Sequence, residues 1–213
     1  MRYNPEIHHR RSIRLKNYDY SRNGLYFITI CTENRLCLFG DNVGAGSKPA
    51  LCNGKSDQNI NPVSKRTSLE PASTIMNPEY TEMQINDLGK IVEYTWFDLV
   101  NHIDNIKLHE FIVMPNHVHG IIEITNDINF DIQQRAGLEP APTNRTKSFS
   151  EIIRQLKTFS ARRINHLRKM PGRAVWQRNY YEHIIRNEKS YLELSDYVIN
   201  NPLRWQEDKY YEL

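Results

Sequence analysis

Leu108-His109-Glu110-Phe111-Ile112-Val113-Met114-Pro115-Asn116-His117-Val118-His119-Gly120-Ile121-Ile122-Glu123-Ile124 decides the fold. Leu108 to Val113 is largely apolar, with β-branched and aromatic members, and predicts a strand. Met114-Pro115-Asn116 ends it, because proline has no amide hydrogen to give to a ladder. His117 to Ile124 predicts a second strand, antiparallel to the first across a tight turn. On that strand His117 and His119 share one side, roughly 7 Å apart at the backbone, while Val118 points the other way. Two imidazoles so placed can converge on one metal ion. The same spacing also describes two half-exposed strand histidines satisfied by water, and the pattern leaves both readings open.

Further elements follow on either side. Leu25 to Thr32 predicts a buried strand. Ile85, Leu88, Val92, Trp96, Leu99 and Ile103 recur at spacings of three and four, the stripe of an amphipathic helix, with Asn86 as its N-cap. Phe149 opens a second such helix with Ile153, Leu156, Ile164 and Leu167 near one face. Val175 to Ile185 predicts a strand containing Tyr180 and Tyr181. Glu188 to Asn200 predicts a last helix, ended by Pro202, because the residue before proline avoids the helical region. The order strand, helix, strand, strand, helix, strand, helix predicts an α+β fold. Its expected form is a ferredoxin-like (split βαβ) antiparallel sheet with helices on one face plus a C-terminal helix.

The 213 residues suit one domain. Two stretches lack any period of 2 or 3.6: a flexible insertion at about 41–80 and a second low-complexity loop at about 126–147. Ala45-Gly46-Ser47-Lys48-Pro49-Ala50 in the first is echoed by Ala136-Gly137-Leu138-Glu139-Pro140-Ala141 in the second. Cys31, Cys37 and Cys52 match no zinc-binding spacing, and their odd number suits no simple disulfide framework, so they read as reduced thiols. No apolar run is long enough to span a bilayer and the N-terminus has no signal-peptide core. A cytoplasmic protein without a membrane partner is expected.

The net charge of +3 hides a strong asymmetry. From Arg145 to Arg178 there are ten Lys or Arg and one acidic residue, Glu151, so the rest of the chain is net acidic. Arg154, Lys157, Arg162 and Arg163 on the second helix, with Arg178 beyond it, form a cationic set suited to phosphates. Arg10, Arg11 and Arg14 in the N-terminal arm, near Tyr18 and Tyr20, add cations and rings for nucleic acid. A solvated tail is the plainer reading of that arm. In the last helix Tyr197 and Asn201 lie one turn apart, a phenol beside an amide oxygen. Alone, such a pair also describes ordinary packing, and twelve tyrosines compete for any role.

Val113-Met114-Pro115-Asn116-His117-Val118-His119-Gly120, Trp176-Gln177-Arg178-Asn179, Glu182-His183-Ile184-Ile185-Arg186 and Asp196-Tyr197-Val198-Ile199-Asn200-Asn201-Pro202 together resemble the REP-associated tyrosine transposases, of the single-tyrosine HUH superfamily. Arg10-Arg11-Ser12-Ile13-Arg14-Leu15 with Tyr18-Asp19-Tyr20 resembles a subgroup of them. The resemblance covers most of the chain outside the two insertions, with the motifs in family order. It implies that His117 and His119 hold a metal, that Asn201 is a third ligand, and that Tyr197 is the nucleophile. Tyr180 and Tyr181 are the rival nucleophiles. It further implies a bacterial, nucleoid-associated enzyme that cuts and rejoins single-stranded DNA at REP-like palindromic hairpins through a 5′-phosphotyrosine, as monomer or homodimer. Two imidazoles with an amide suit Mg²⁺ or Mn²⁺ better than a closed structural zinc site. The competing expectations are a non-catalytic single-stranded nucleic-acid-binding module of ferredoxin-like fold, and a phosphodiesterase using activated water.

Overall fold

The structure, a computed structural model, describes residues 19–20, 22–44, 81–125 and 147–211. Arg10, Arg11 and Arg14, and the greater part of both low-complexity loops, lie outside the described residues.

Strands β1 (Gly24–Cys31), β4 (Ile106–Val113), β5 (His117–Ile124) and β6 (Tyr181–Ile185) form one sheet in the order β4-β5-β1-β6. Every neighbouring pair in it is antiparallel. Helix α1 (Asp87–Asp98) links β1 to β4 by way of a hairpin, and α2 (Phe149–Leu167) links β5 to β6. The two strand–helix–strand units interleave: β5 fills the gap between β1 and β4, and β1 the gap between β5 and β6. This is the expected α+β class with its antiparallel sheet, ordered as a split βαβ.

Alternation assigns the two faces of the sheet. Tyr26, Ile28 and Ile30 of β1 and Val118, Ile122 and Ile124 of β5 point toward α1 and α2. There they pack with Val92, Trp96, Ile152, Ile153 and Leu156. Phe27, Ile121 and Ile185 point to the other face and pack with Val198 of α3 (Glu188–Ile199). The predicted cap holds: Asn86 Oδ1 accepts from the amides of Leu88 and Gly89 at 2.9 and 3.1 Å. Gly120 has a packing reason. Trp96 lies flat on Phe111, ring centroids 4.3 Å apart, and a Cβ on Gly120 would come 2.5 Å from the Trp96 ring.

Four expectations are corrected. Residues 41–44 are not unstructured: β2 (Gly40–Gly44) pairs with β3 (Thr81–Ile85), so the insertion hangs from a two-stranded ribbon. The last strand begins at Tyr181 rather than Val175. Trp176 makes only an isolated bridge to Thr32, and its indole donates to Ser160 Oγ of α2 at 2.9 Å. Leu167 is exposed rather than part of the apolar stripe, because the helix ends there beyond its core contacts. Cys37 is disulfide-bonded rather than a thiol, whereas Cys31 is a buried thiol. No helix among the described residues is long and apolar enough to cross a membrane.

Candidate active site

His117 and His119 both project from β5 toward the α3 face and are fully buried, at 0% and 1% exposure. This removes the half-exposed reading. Pairing with β1 sets their depth: Cys31 lies opposite His117 and Thr29 opposite His119. Their Nε2 atoms approach to 2.9 Å.

The outer nitrogens are held by neighbours. His119 Nδ1 lies 2.8 Å from Thr29 Oγ1, and His117 Nδ1 lies 2.8 Å from Asn116 Oδ1. Asn116 Nδ2 donates to the Tyr210 carbonyl at 2.8 Å, which fixes the amide so that Oδ1 faces the imidazole. His117 therefore carries its proton on Nδ1 and keeps a lone pair on Nε2. Burial lowers the pKa of His117 well below 6.5, helped by the charges of His119, Lys209 and Arg35. Burial also lowers His119 to about 4, against the opposing pull of Asp208. Both rings are neutral near pH 7, the state that binds metals.

The last helix and the segment after it close the site. Tyr197 Oη lies 3.4 Å from His119 Nε2 and donates to Asp208 Oδ2 at 3.1 Å. Asn201, buried at 1% exposure, opens a 3₁₀ segment (Asn201–Glu207) and donates its Nδ2 to the same Asp208 oxygen at 3.0 Å. Its Oδ1 is buried with no hydrogen-bond partner. Asp208 Oδ1 accepts from the Tyr210 amide at 2.7 Å. Burial first, and then the Asp208 carboxylate, push the Tyr197 phenol well above its ordinary value of 10. Trp205 and Tyr210 flank the His117 ring at 5.7 and 4.8 Å.

The donor set fits a divalent cation. Ligand atoms of His117, His119 and Asp208 lie within 4.8 Å of one another, and an unpartnered amide oxygen is buried on Asn201. Mixed imidazole and oxygen donors suit Mn²⁺ or Mg²⁺.

Asp208 has no counterpart among the sequence-predicted residues. It sits in irregular chain eleven positions after Tyr197, where no periodicity points to it. Thr29 was findable, since alternation along β1 puts it on the histidine face. Of the rival tyrosines, Tyr180 packs edge-on to Phe149 at 6.2 Å, against the core under α1 and α2. Tyr181 lies on the histidine face, opposite Thr29.

The predicted cationic residues divide. α2 packs on the sheet face away from the histidines, so Arg154, Lys157, Arg162 and Arg163 do not join the site. Arg154 pairs with Glu151 on its own helix. Lys157 donates to the carbonyls of Gln177 and Arg178 at 2.6 and 3.0 Å. Arg163 holds Asp98 at 2.7 Å and Thr95 Oγ1 at 2.9 Å. Arg162 and Arg178 are exposed. The cations whose charges act on His117 are instead Lys209 and Arg35, and Arg204 lines the adjoining cleft; sequence reasoning passed over all three.

No family model matches the chain. Over 217 residues it is 38% identical to an uncharacterized protein of Haemophilus influenzae (strain ATCC 51907 / DSM 11121 / KW20 / Rd), covering 99% of this chain and 97% of that relative. Over 93 residues it is 25% identical to a second protein of that strain, named "Putative REP-associated tyrosine transposase", covering 43% of this chain and 47% of that one. Solved structures similar to it include two transposases. One is a REP-associated tyrosine transposase bound to a REP hairpin, with 16% identity, TM-score 0.46, and 92% of this chain and 77% of that one covered. The other is a "putative transposase" of Deinococcus radiodurans R1, with 14% identity, TM-score 0.40, and 89% and 97% covered. By its end-to-end match the chain belongs to the family of the first Haemophilus influenzae protein, and it is similar to the REP-associated tyrosine transposases.

Proposed function

We propose that this protein cuts and rejoins single-stranded DNA beside hairpins, with Tyr197 as the nucleophile. The observation that carries the reading is the convergence of one phenol, one carboxylate and two neutral imidazoles within hydrogen-bond reach of one another. The resemblance of the motifs to REP-associated tyrosine transposases supplies the substrate class, hairpins of palindromic repeats.

The Tyr197 phenol, held protonated by its surroundings, is a weak nucleophile until its proton has somewhere to go. Asp208 is placed to take that proton as the phenol oxygen bonds to phosphorus. The bond from phosphorus to the departing 3′ oxygen breaks in the same displacement. That oxygen leaves as a free 3′-hydroxyl once protonated, and the 5′ end stays on Tyr197 as a phosphodiester. Rejoining reverses the step: a 3′-hydroxyl attacks, Tyr197 leaves and regains its proton, and no ATP is needed because one phosphoester bond is exchanged for another. His117, His119 and Asp208, with Asn201 beside them, would hold Mg²⁺ or Mn²⁺, which would supply Lewis-acid polarisation of the phosphate. Thr29 and Asn116 orient the two imidazoles for that role. Such an enzyme acts on chromosomal DNA in the bacterial cytoplasm.

The test is incubation with end-labelled single-stranded hairpins and Mn²⁺, read on a denaturing gel. A protein–DNA adduct is expected, absent with chelator and absent in Tyr197→Phe, whose hairpin affinity stays within about twofold. Cleavage without an adduct would instead mean attack by water. An adduct persisting in Tyr197→Phe would move the nucleophile to Tyr181.

A further inference from the structure

A cleft of about 620 Å³ runs from Tyr197 and Asp208 outward between β6, α3 and the Asn201–Glu207 segment. Its size falls within the roughly 300–1,000 Å³ of small-ligand sites. The strand transfer proposed above uses only its inner end. The rest is built differently from the buried centre, and its chemistry is specific.

Tyr181 and Phe27 lie on the cleft's sheet side. The Tyr181 ring is 46% exposed, although its strand neighbour Thr29 is buried. It is braced edge-on against Phe27 at 6.3 Å and 70°, and Phe27 in turn stacks on His119 at 5.4 Å and 23°. An exposed aromatic ring is thus tied through one buried ring to the candidate metal ligand. Lys209, one residue after Asp208, carries its ammonium 5.1 Å from the centre of the Tyr181 ring. Arg204 lines the same cleft and is exposed. Of the carboxylates on the outer cleft, Glu193 on α3 is paired with Lys189 at 3.9 Å, and Glu207 is exposed at the rim.

We infer that this cleft seats the nucleoside next to the scissile phosphate, its base stacked on Tyr181 and the adjoining phosphate met by Lys209 and Arg204. Every base has a face to stack on a ring, and a flexible ammonium that rests over that ring in the absence of DNA can swing to a phosphate. Anchoring one base beside Tyr197 limits how the phosphate lies relative to the phenol. The assignment rests on the strand-transfer reading, and its test is separable from that reading.

Single-stranded oligonucleotides from the foot of a hairpin carry 2-aminopurine at one position at a time, and each is bound to the full chain with Tyr197→Phe blocking turnover. Fluorescence at one position is expected to be quenched by stacking. Adding Tyr181→Ala abolishes that quench and raises the Kd at least fivefold, the lower end of the effect of losing one base–aromatic stack. Adding Tyr181→Phe instead restores both quench and affinity. A quench and a Kd that Tyr181→Ala leaves within twofold at every position overturn the inference, whether or not the unblocked protein forms an adduct. Conversely, a Tyr181-dependent quench with no adduct upholds this subsite and rejects the strand transfer alone.

Discussion

The hydroxyl of Tyr197 points at the carboxylate of Asp208, 3.1 Å away, and Asn201 donates to the same carboxylate oxygen at 3.0 Å. Two side chains of the terminal helix region are thus gathered by one residue of the segment that follows. Asp208→Asn keeps the shape but removes the anionic acceptor. Adduct formation is expected to slow by about 10²-fold or more, the usual range for a lost general base. Single-turnover rates at saturating Mn²⁺ separate this from weakened cation binding; an unchanged rate would relieve Asp208 of the proton-accepting role.

Gly120 follows the two histidines on β5, and its missing side chain admits Trp96 against Phe111. Gly120→Ala places a carbon 2.5 Å from a fully buried ring, and the ring cannot move without disturbing the core under α1. A loss of about 1–3 kcal/mol is expected, the usual cost of overpacking. Thermal unfolding should show a Tm lower by several degrees; a variant as stable as the parent would mean that Trp96 repacks freely.

Arg162 and Arg163 are neighbours in sequence with opposite prospects. Arg163 is bound to Asp98, whose side chain is only 12% exposed, and the Arg163 hydrogen bond holds that carboxyl below its ordinary pKa. Arg163→Ala removes the shortest partner of that carboxylate, which keeps Asn101 and His102, and is expected to cost about 1 kcal/mol of stability. Arg162 is exposed, so Arg162→Ala should leave stability within about 0.5 kcal/mol. If the outer face of α2 contacts phosphate, that same variant lowers the salt dependence of DNA binding by about one unit of slope. Denaturant melts and binding at three salt concentrations distinguish the two residues.

Lys157 is half-buried beside the carbonyls of Gln177 and Arg178, and burial lowers its ammonium pKa from 10.5 to about 8. Between those values the unfolded chain holds the proton and the folded chain has released it. Stability contributed by this group therefore rises with pH from about 8 to 10.5. Lys157→Met should flatten that part of the profile. Parallel slopes for the two proteins in denaturant titrations across this range would show that the proton stays on in the fold.

Much of the architecture was legible in the residues. Period-2 alternation placed His117 and His119 on one side of β5, and the stripe from Ile85 to Ile103 announced α1, because each pattern depends only on local backbone geometry. The i, i+4 spacing that joined Tyr197 to Asn201 was read in the same way, although Asn201 proved to open the 3₁₀ segment after the helix. The cationic run was just as visible, but its fate was not. Lys157 and Arg163 were absorbed by carbonyls and by Asp98, partners 20 to 65 residues away. Val175 to Tyr180 likewise reads as strand by propensity, yet Ser160 and Lys157 of α2 take its indole and carbonyls instead.

Local pattern therefore settled which elements form and which faces their side chains occupy, since helix and strand repeats are properties of short chain segments. The meeting of Asp208 with Tyr197, and of both with His119, was decided only when the sheet, α3 and the closing 3₁₀ segment packed together. No repeat connects a carboxylate in irregular chain to a histidine 89 positions earlier on a strand, and only the burial of Trp205 and Tyr210 over His117 brings that segment home.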